Sequence, residues 1–453
     1  MHRFDPTMDE LAAAIFAFAR ARAGEDAGLD GVQLGHPQPP DALDAAAGAT
    51  ITPTGIGAME AFRVFTEVLE PACLSADFPR YLAFVPAAPS EVAILADLVV
   101  SACSIYAGSW LEGAGAVWAE NKALRWLADL AGLPEGAGGC FVSGGTNGNL
   151  SALVAARNAA GAALAAAGRP RPPRWAVVIS EGTHSSVQAA ADVMDAELIV
   201  VPGDRMTGEA LAPVLNDAGG DRVAAVVATA GTTNLGLIED LAGVAEVCQE
   251  ADVWLHVDGA YGGAALAARS VRDRFAGVEK ADSLIVDPHK WLFAPFDVCA
   301  LIYRNPVLGR AAHVQHAAYL DVLYGDAWNP SDYAVHLTRR ARGVPFWFSL
   351  AAHGTDAYAE AVEACLTVTR QGAEMVRSAP YLELVAEPEL SVLAFRRSDW
   401  AGEDYVAWSD RMLQAGEAFV VPSSHRGVPM LRLCVVNPRT TVDDLRRIVE
   451  SLA

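Results

Sequence analysis

The chain has 453 residues, of which 52% are hydrophobic and 19% are charged. This composition is typical of a folded globular protein, and the length predicts two or three domains. The formal net charge of −22 opposes binding to nucleic acid or to an anionic membrane surface, so neither is expected as a partner.

The N-terminal segment, residues 1–79, has two helical patterns separated by a loop rich in Pro and Gly. Leu11, Ile15 and Phe18 recur at helical spacing, and a second helical stretch is predicted over residues 57–69. The start of the segment has acidic residues and no apolar run, which is unlike a signal peptide. The segment is too short and too interrupted for a core of its own, so it is expected to pack on something else.

The most apolar window of the chain spans residues 92–107. It is shorter than the ~20 residues that a membrane-spanning helix needs, and it contains Asp97, so a buried helix is predicted.

The seven cysteines are scattered singly, without a Cys-x-x-Cys pair or a Cys/His cluster. This pattern predicts reduced thiols in a cytoplasmic protein and no metal site.

Over residues 80–335, helical patterns alternate with short runs rich in β-branched residues. Such alternation predicts an α/β domain with a mostly parallel sheet covered on both faces by helices. The seven predicted strands are residues 140–142, 176–179, 198–201, 224–228, 254–257, 283–286 and 299–303. The remaining residues, 336–453, have a long helical stretch, strand candidates at 393–396 and 431–435, and a closing helix near Thr441. They are predicted to form a small α+β domain.

A glycine-rich run, SGGTNGN at residues 143–149, lies between a predicted strand and a predicted helix. At such a junction the backbone N–H groups and the positive end of the helix dipole favour an anion, and a phosphate group fits there. The run has neither the dinucleotide-binding glycine pattern nor a Walker lysine, so a nucleotide-binding fold is not favoured.

Two later strands each deliver one charged residue at their carboxyl end. LHVDGAY places Asp258 there, and IVDPHKW places Lys290 after a Pro-His turn and before an apolar Trp-Leu-Phe run. Ligands bind at this edge of open α/β sheets. A lysine and a carboxylate that meet there suit pyridoxal 5'-phosphate (PLP), because the lysine forms a Schiff base with the aldehyde and the carboxylate keeps the pyridine nitrogen protonated. His256, on the strand of Asp258, is interpreted as structural.

With the motifs DPHKW and HVDGAYGG, the chain resembles the group II PLP-dependent decarboxylases, the family of the aromatic-L-amino-acid and glutamate decarboxylases. The likeness runs from about residue 80 to the C-terminus. It implies the fold of the PLP-dependent transferases, the aspartate-aminotransferase type or fold type I. It also implies PLP as cofactor, a small-molecule amino acid as substrate, and a homodimer in which residues 1–79 pack on the partner subunit.

The resemblance further implies which residues bind the cofactor. Gly145 and Thr146 match the phosphate-binding positions, and His184 and Ala260 match residues that lie against opposite faces of the ring. The full set of implied cofactor-binding residues is Gly145, Thr146, His184, Thr229, Asp258, Ala260, His289 and Lys290.

Four residues have catalytic roles by this resemblance: Lys290, Tyr319, His184 and Asp258. Tyr319 matches the mobile-loop tyrosine that protonates Cα once carbon dioxide has left. Because His184 and Tyr319 are both present, simple decarboxylation is favoured over the oxidative, aldehyde-forming branch of the family. The intact set of Lys290, Asp258 and His184 disfavours a relative without catalytic activity.

The substrate is specified less closely than the reaction. Aromatic amino acids are the first hypothesis, with Phe84, Trp110 and Thr338 as candidate residues of the side-chain pocket. The alternative substrates are an acidic amino acid, paired with Arg80 or Arg426, and an aliphatic amino acid. The alternative activity is that of a PLP-dependent lyase or aldehyde synthase on the same fold. One position beside the expected phosphate site departs from the family. Asp287 replaces the Asn that animal aromatic decarboxylases usually have beside the phosphate, so its carboxylate is expected to be turned away or protonated by a neighbour.

Overall fold

The computed structural model describes residues 6–23, 32–86, 88–315 and 327–453. Five helices precede the first strand: α1 (Pro6–Ala23), α2 (Pro40–Ala47), α3 (Ala58–Val64), α4 (Glu91–Cys103) and α5 (Trp110–Leu130). A π-helical turn and a 3-10 turn continue α3 as Phe65–Leu69 and Glu70–Ala72. Large apolar side chains of this region, including Phe16, Ile51 and Phe65, are exposed. The region therefore has apolar surface that the described part of the chain does not cover.

The central sheet has seven strands: β1 (Gly138–Val142), β2 (Ala176–Ser180), β3 (Glu197–Val201), β4 (Val223–Thr229), β5 (Trp254–Asp258), β6 (Ser283–Val286) and β7 (Cys299–Tyr303). Their order is β1-β7-β6-β5-β4-β2-β3, and only β7 runs antiparallel to its neighbours. β2, β4, β5, β6 and β7 are buried along their whole length, as strands covered on both faces must be. The predicted mostly parallel seven-stranded sheet is confirmed.

Further helices lie between and after these strands: α6 (Gly145–Ala166), α7 (Ser185–Val193), α8 (Gly208–Ala218), α9 (Leu241–Ala251), α10 (Pro288–Trp291), α11 (Pro306–His313) and α12 (Val344–His353). Short 3-10 helices are found at Gly220–Arg222, Gly262–Ala267, Arg272–Phe275, Val278–Lys280 and Pro330–Asp332. The long helix α6 follows β1 directly and packs against β4, β5 and β6, so its N-terminus lies at the carboxyl edge of the sheet.

The C-terminal region has a second sheet of four antiparallel strands: β8 (Leu382–Leu384), β9 (Val392–Arg397), β10 (Pro422–His425) and β11 (Val428–Cys434). Its helices are α13 (Thr355–Ser378), α14 (Gly402–Gln414) and α15 (Val442–Glu450). Thr441 caps α15, since its hydroxyl accepts from the backbone N–H of Asp444 at 3.2 Å. The predicted α+β architecture is present, whereas the domain boundaries at residues 80 and 336 stay predictions.

Helix α4 corrects the prediction of a buried helix over residues 92–107. The helix is present, but Leu95, Leu98 and Val99 are 50%, 44% and 61% exposed. The helix packs on α12, and its buried residues are Ala93, Ala96 and Val100. Hydropathy identifies the helix and cannot tell which of its faces has a partner within the chain. Within the described ranges, no helix has both the length and the hydropathy needed to span a bilayer.

A buried ion pair connects α5 to the segment that leads into α12. Nη1 and Nη2 of Arg339 lie 2.7 and 2.8 Å from the two carboxylate oxygens of Glu120, and the side chains are 0% and 1% exposed. The backbone N–H of Gly343 also donates to Glu120, at 2.8 Å, and Arg339 donates to the carbonyl of Ala107 at 2.6 Å. These bonds fix the start of the C-terminal region against the sheet-covering helix.

Replacing Glu120 by Gln should lower the free energy of unfolding by about 3–5 kcal/mol, because the guanidinium of Arg339 would stay buried without a counter-charge. The control is Arg340→Gln, since Arg340 pairs with Asp97 at 2.7 Å on the surface. Loss of that exposed pair should cost about 1 kcal/mol or less. Urea unfolding of both variants measures the difference, and equal losses would contradict this account of the buried pair.

Candidate active site

A cavity of about 420 Å³ lies at the carboxyl edge of the central sheet, where β1, β2, β4, β5 and β6 end. This size is within the range of small-molecule sites. The predicted cofactor-binding residues all line it, namely Gly145, Thr146, His184, Thr229, Asp258, Ala260, His289 and Lys290. The structure thus brings together residues that are as much as 145 positions apart, from Gly145 to Lys290.

Asp258, at the end of β5, is held firmly in this cavity. One carboxylate oxygen accepts from the side-chain amide of Asn149 at 2.9 Å, and the other accepts from the backbone N–H of Ala260 at 3.1 Å. The residue is only 5% exposed. A carboxylate with both oxygens fixed in this way presents its negative charge to the cavity in one orientation.

Lys290 follows β6 and forms an ion pair with Asp287, its Nζ lying 3.0 Å from Oδ2. Nε2 of His289 lies 3.5 Å from the same oxygen. Burial opposes the charged form of both partners. Their attraction nevertheless raises the pKa of Lys290 and lowers the pKa of Asp287. The carboxylate of Asp287 is therefore ionised.

The position of Asp287 corrects the sequence-based expectation. Its carboxylate is neither turned away nor protonated, and it faces the start of α6. A Cβ at Gly145 would lie 3.3 Å from both Oδ2 of Asp287 and the Cβ of Ala260, closer than most side chains approach. Glycine at this position lets the backbone of the turn come close to the strand ends.

The residues at the start of α6 fit the phosphate of PLP. Gly144 caps this 22-residue helix without a side-chain hydrogen bond, so the helix begins with backbone donors that have no side-chain cap. Thr229 Oγ1 is buried, has no hydrogen-bond partner in the described part of the chain, and can donate to an anion. The negative charge of Asp287, which faces the same turn, is balanced by its ion pair with Lys290. Buried polar atoms without partners in a cavity are suited to a polar ligand. Together with the Lys290 amine and the Asp258 carboxylate, these groups match a phosphorylated pyridine aldehyde.

The predicted substrate-pocket residues are only partly brought together. Phe84 lines the cavity, with a 57% exposed side chain. Trp110 and Thr338 do not line it and are exposed in the single chain, so their role in the substrate pocket stays a prediction. Tyr319 lies outside the described residues, and its role stays a prediction.

Arg432, in β11, is a candidate functional residue that the sequence analysis missed. It lines the cavity, is 6% exposed, and donates from Nη2 to the carbonyl of Phe84 at 3.0 Å. Its Nε has no hydrogen-bond partner within the described ranges. A buried guanidinium at a ligand cavity is suited to a carboxylate of the ligand. The available signal was an arginine between two leucines in a predicted strand.

Glu239 is a second residue that the sequence analysis missed, and it lies behind the cavity. It is 2% exposed and accepts from the backbone N–H groups of Thr229 at 2.7 Å and Met206 at 3.4 Å. Burial raises the pKa of Glu239 to about 7, and the charge of Asp258 adds to this shift. Its carboxyl group therefore titrates near neutral pH.

The raised pKa of Glu239 predicts a pH dependence of stability. Between pH 4.5 and about 7, the folded state keeps a proton on Glu239 that the unfolded chain has released, so the free energy of unfolding should fall as pH rises. Glu239→Gln removes this titration and keeps an acceptor for Thr229. Across this window the variant should lose less stability than the parent, by on the order of 3 kcal/mol. Urea unfolding at several pH values checks this, and parallel profiles would disprove it.

Comparison with known proteins identifies the family of the chain. The family described as the pyridoxal-dependent decarboxylase conserved domain matches residues 60–398. The chain belongs to this family. It is 32% identical over 397 residues to an aromatic-L-amino-acid decarboxylase of Bacillus atrophaeus, covering 82% of this chain and 80% of that protein. It is 33% identical over 378 residues to an L-2,4-diaminobutyrate decarboxylase of Rhizobium meliloti (strain 1021), covering 80% and 74%.

The fold of this decarboxylase is similar to that of a solved structure, Oryza sativa TDC with PLP and tryptamine. The TM-score is 0.89 at 23% sequence identity, and the match covers 99% of this chain and 98% of that chain. The prediction of the PLP-dependent transferase fold, fold type I, is confirmed. The chain is a PLP-dependent carboxy-lyase that acts on an amino acid.

Proposed function

We propose that this decarboxylase converts an aromatic L-amino acid to the corresponding amine and carbon dioxide. The observation that carries the proposal is the meeting of Lys290, Asp258 and His184 in one cavity whose wall includes the aromatic rings of Phe84 and Phe296. The 32% identity to an aromatic-L-amino-acid decarboxylase supports the same substrate class. Aromatic side chains bury large apolar areas and pair favourably with other rings.

In this proposal each residue of the cavity has one task. Lys290 holds the cofactor until the amino acid takes its place, Asp258 keeps a proton on the pyridine nitrogen, and His184 lies against the ring. When bound, PLP supplies a protonated ring that accepts the electrons left as carbon dioxide departs. The proton that replaces carbon dioxide at Cα is assigned to Tyr319 by the family resemblance.

Arg432 is assigned the α-carboxylate of the substrate. Its guanidinium lines the cavity and makes no ion pair with a described carboxylate, so the substrate would supply the missing counter-charge. Arg432→Met should raise KM about 10–100-fold, as expected for loss of a charge-assisted hydrogen bond. Arg426→Gln is the control, because Arg426 pairs with Asp204 outside the cavity. An unchanged KM in Arg432→Met would refute this assignment.

The positions of two other arginines count against an acidic substrate. Arg80 pairs with Asp444 at 3.0 Å, and Arg426 pairs with Asp204 at 2.9 Å. Neither lines the cavity, so neither is placed to bind a distal carboxylate. For a diamino acid, the described acids at the cavity wall are Asp258, which is assigned to the cofactor, Asp287, which is paired with Lys290, and Asp297, which is paired with Arg342. The described charged side chains of the cavity wall are thus paired or assigned to the cofactor, apart from Arg432, which is assigned to the α-carboxylate.

The substrate class is tested with purified enzyme, PLP and a panel of aromatic, acidic, aliphatic and diamino L-amino acids. Mass spectrometry identifies each amine, and initial rates give kcat/KM. We expect the highest kcat/KM for an aromatic substrate. A higher value for glutamate or 2,4-diaminobutyrate would overturn the substrate class and leave the decarboxylase assignment in place.

We also propose that the enzyme is a homodimer. Leu95, Leu98 and Val99 of α4 are exposed side by side, and Leu111 at the start of α5 is 68% exposed. Apolar surface of this kind is typical of subunit interfaces. Light scattering should give twice the chain mass of 47.6 kDa, and Leu98→Asp should shift the protein towards monomer. A fully active monomeric parent enzyme would rule the dimer out.

The predicted cytoplasmic location is retained as part of the proposal. All seven cysteines are unpaired, and five of them are buried. Free thiols are typical of proteins in reducing compartments.

A further inference from the structure

A chain of buried polar side chains leads from the middle of the central sheet to the carboxylate of Asp258. Trp254 Nε1 donates to Ser283 Oγ at 2.8 Å, and the same hydroxyl lies 2.8 Å from Nδ1 of His256. Nε2 of His256 lies 2.8 Å from Oδ1 of Asn149, whose Nδ2 lies 2.9 Å from Asp258. Every member of this chain is buried.

The chemistry of the partners fixes the position of each proton. The carboxylate of Asp258 can only accept, so Asn149 turns its NH2 group to Asp258 and its carbonyl oxygen to His256. That oxygen also can only accept, so Nε2 of His256 carries a proton. Burial lowers the pKa of His256 to about 4, so the ring is neutral at pH 7 and its Nδ1 accepts from the hydroxyl of Ser283. All donors of the chain therefore point towards Asp258.

A second branch connects Asn149 to His184. The other amide hydrogen of Asn149 is donated to Ser186 Oγ at 2.9 Å. Nδ1 of His184 lies 2.9 Å from this hydroxyl and accepts the backbone N–H of Ser186 at 3.2 Å. The amide of Asn149 thus contacts both Asp258, which is assigned to the pyridine nitrogen, and Ser186. Ser186 in turn orients the imidazole of His184, which is assigned to the face of the ring.

We propose that Asn149 is a positioning residue that holds the side chains of Asp258 and His184 in fixed positions relative to each other. We propose further that His256 fixes the orientation of the Asn149 amide. If the amide turned over, its oxygen would face the carboxylate of Asp258 and repel it. His256 opposes this because a turned amide would need the ring proton on Nδ1, facing the Ser283 hydroxyl that already accepts from Trp254. The inference rests on the proposed contact between Asp258 and the cofactor.

The test compares two substitutions of His256. Gln can place an N–H near the position of Nε2 and keep the bond to Asn149, whereas Leu cannot. His256→Leu should weaken PLP binding about 10-fold or more and lower kcat with little change in KM. This is the effect expected when the buried hydrogen bond to Asn149, which itself holds the Asp258 carboxylate, is lost. His256→Gln should restore both values to within about threefold of the parent. Absorbance titration of the cofactor-free enzyme with PLP gives the affinity.

Asn158→Ala is the matched control, because Asn158 is on the same helix, α6, and does not line the cofactor cavity. It should leave PLP affinity unchanged. Equal PLP affinities in His256→Leu and His256→Gln would overturn the proposal, since a packing role alone would not distinguish them.

Asn149→Asp provides a second test if His256→Leu does not fold. It keeps the shape of the side chain and places a carboxylate against Asp258, so it should also weaken PLP binding about 10-fold or more. Parent-like affinity in this variant would overturn the proposal. PLP affinity is measured without an amino acid, so the outcome is independent of whether the parent enzyme releases an amine.

Discussion

Lys290→Ala is expected to abolish amine formation and the absorbance of the lysine-bound cofactor. The amine of Lys290 lines the cavity and lies 3.0 Å from Asp287, at the edge of the sheet where Asp258 and the start of α6 meet. Ala cannot form the covalent bond that holds the aldehyde. Carbon dioxide release and an absorption spectrum of the PLP-loaded protein measure the two effects.

The control for this prediction is Lys280→Ala. Lys280 lies outside the cavity and is 3.8 Å from Glu246. This variant should keep both the activity and the spectrum of the parent. A Lys290→Ala enzyme with parent-like turnover would refute the assignment of Lys290.

Asp258→Asn is expected to lower kcat by about 10²–10³-fold, the usual effect of removing one preorganised electrostatic group from an active site. The substitution keeps the shape of the side chain and removes the charge that would hold a proton on the pyridine nitrogen. Its new amide would also face the donors Asn149 and Ala260, which now bond to the carboxylate. Steady-state kinetics at saturating PLP measures the loss.

The matched control is Asp252→Asn, in the loop before β5. Asp252 is exposed and has a φ of 53°, a backbone conformation that Asn tolerates well. This variant should have the kcat of the parent enzyme. If Asp258→Asn also kept kcat within a few-fold of the parent, the role of Asp258 would be disproved.

The central sheet could be predicted from the sequence because five of its strands, β2 and β4 to β7, are buried along their whole length. Each of the seven predicted strands lies within an observed one. Continuous apolar runs between turn residues give a strong signal of such strands. In the C-terminal region β8 and β10 were missed, because β8 has three residues and β10 is the polar run Pro422–His425. Their strand conformation depends on pairing with β9 and β11.

Local sequence is less informative about which surfaces meet. The apolar window of α4 identified a helix, but the exposure of Leu95, Leu98 and Val99 depends on what the rest of the chain covers. Trp110 and Thr338 are exposed in the single chain, and whether the pocket includes them depends on which segments meet there. Contacts between distant segments decide such cases, and sequence periodicity does not encode them.

The same distinction applies to the active site. Asp258 and Lys290 follow apolar strands, so the fold class itself predicts that they meet. Asn149 and His256 are 107 residues apart, and their hydrogen bond requires α6 to lie on β5 in one register. Arg432 reaches the cavity from the second sheet. Residues of this kind are found only when the packing of whole elements is known.

The most direct test of the account is the stoichiometry of the reaction. Purified enzyme is incubated with PLP and its best amino acid substrate, and carbon dioxide, amine, aldehyde and oxygen uptake are measured together. We predict equal amounts of carbon dioxide and amine, with neither aldehyde nor oxygen uptake. Aldehyde and peroxide in place of the amine would contradict the proposed amine-forming reaction and the roles given to Tyr319 and His184, and would leave the cofactor site of Lys290 and Asp258 in place.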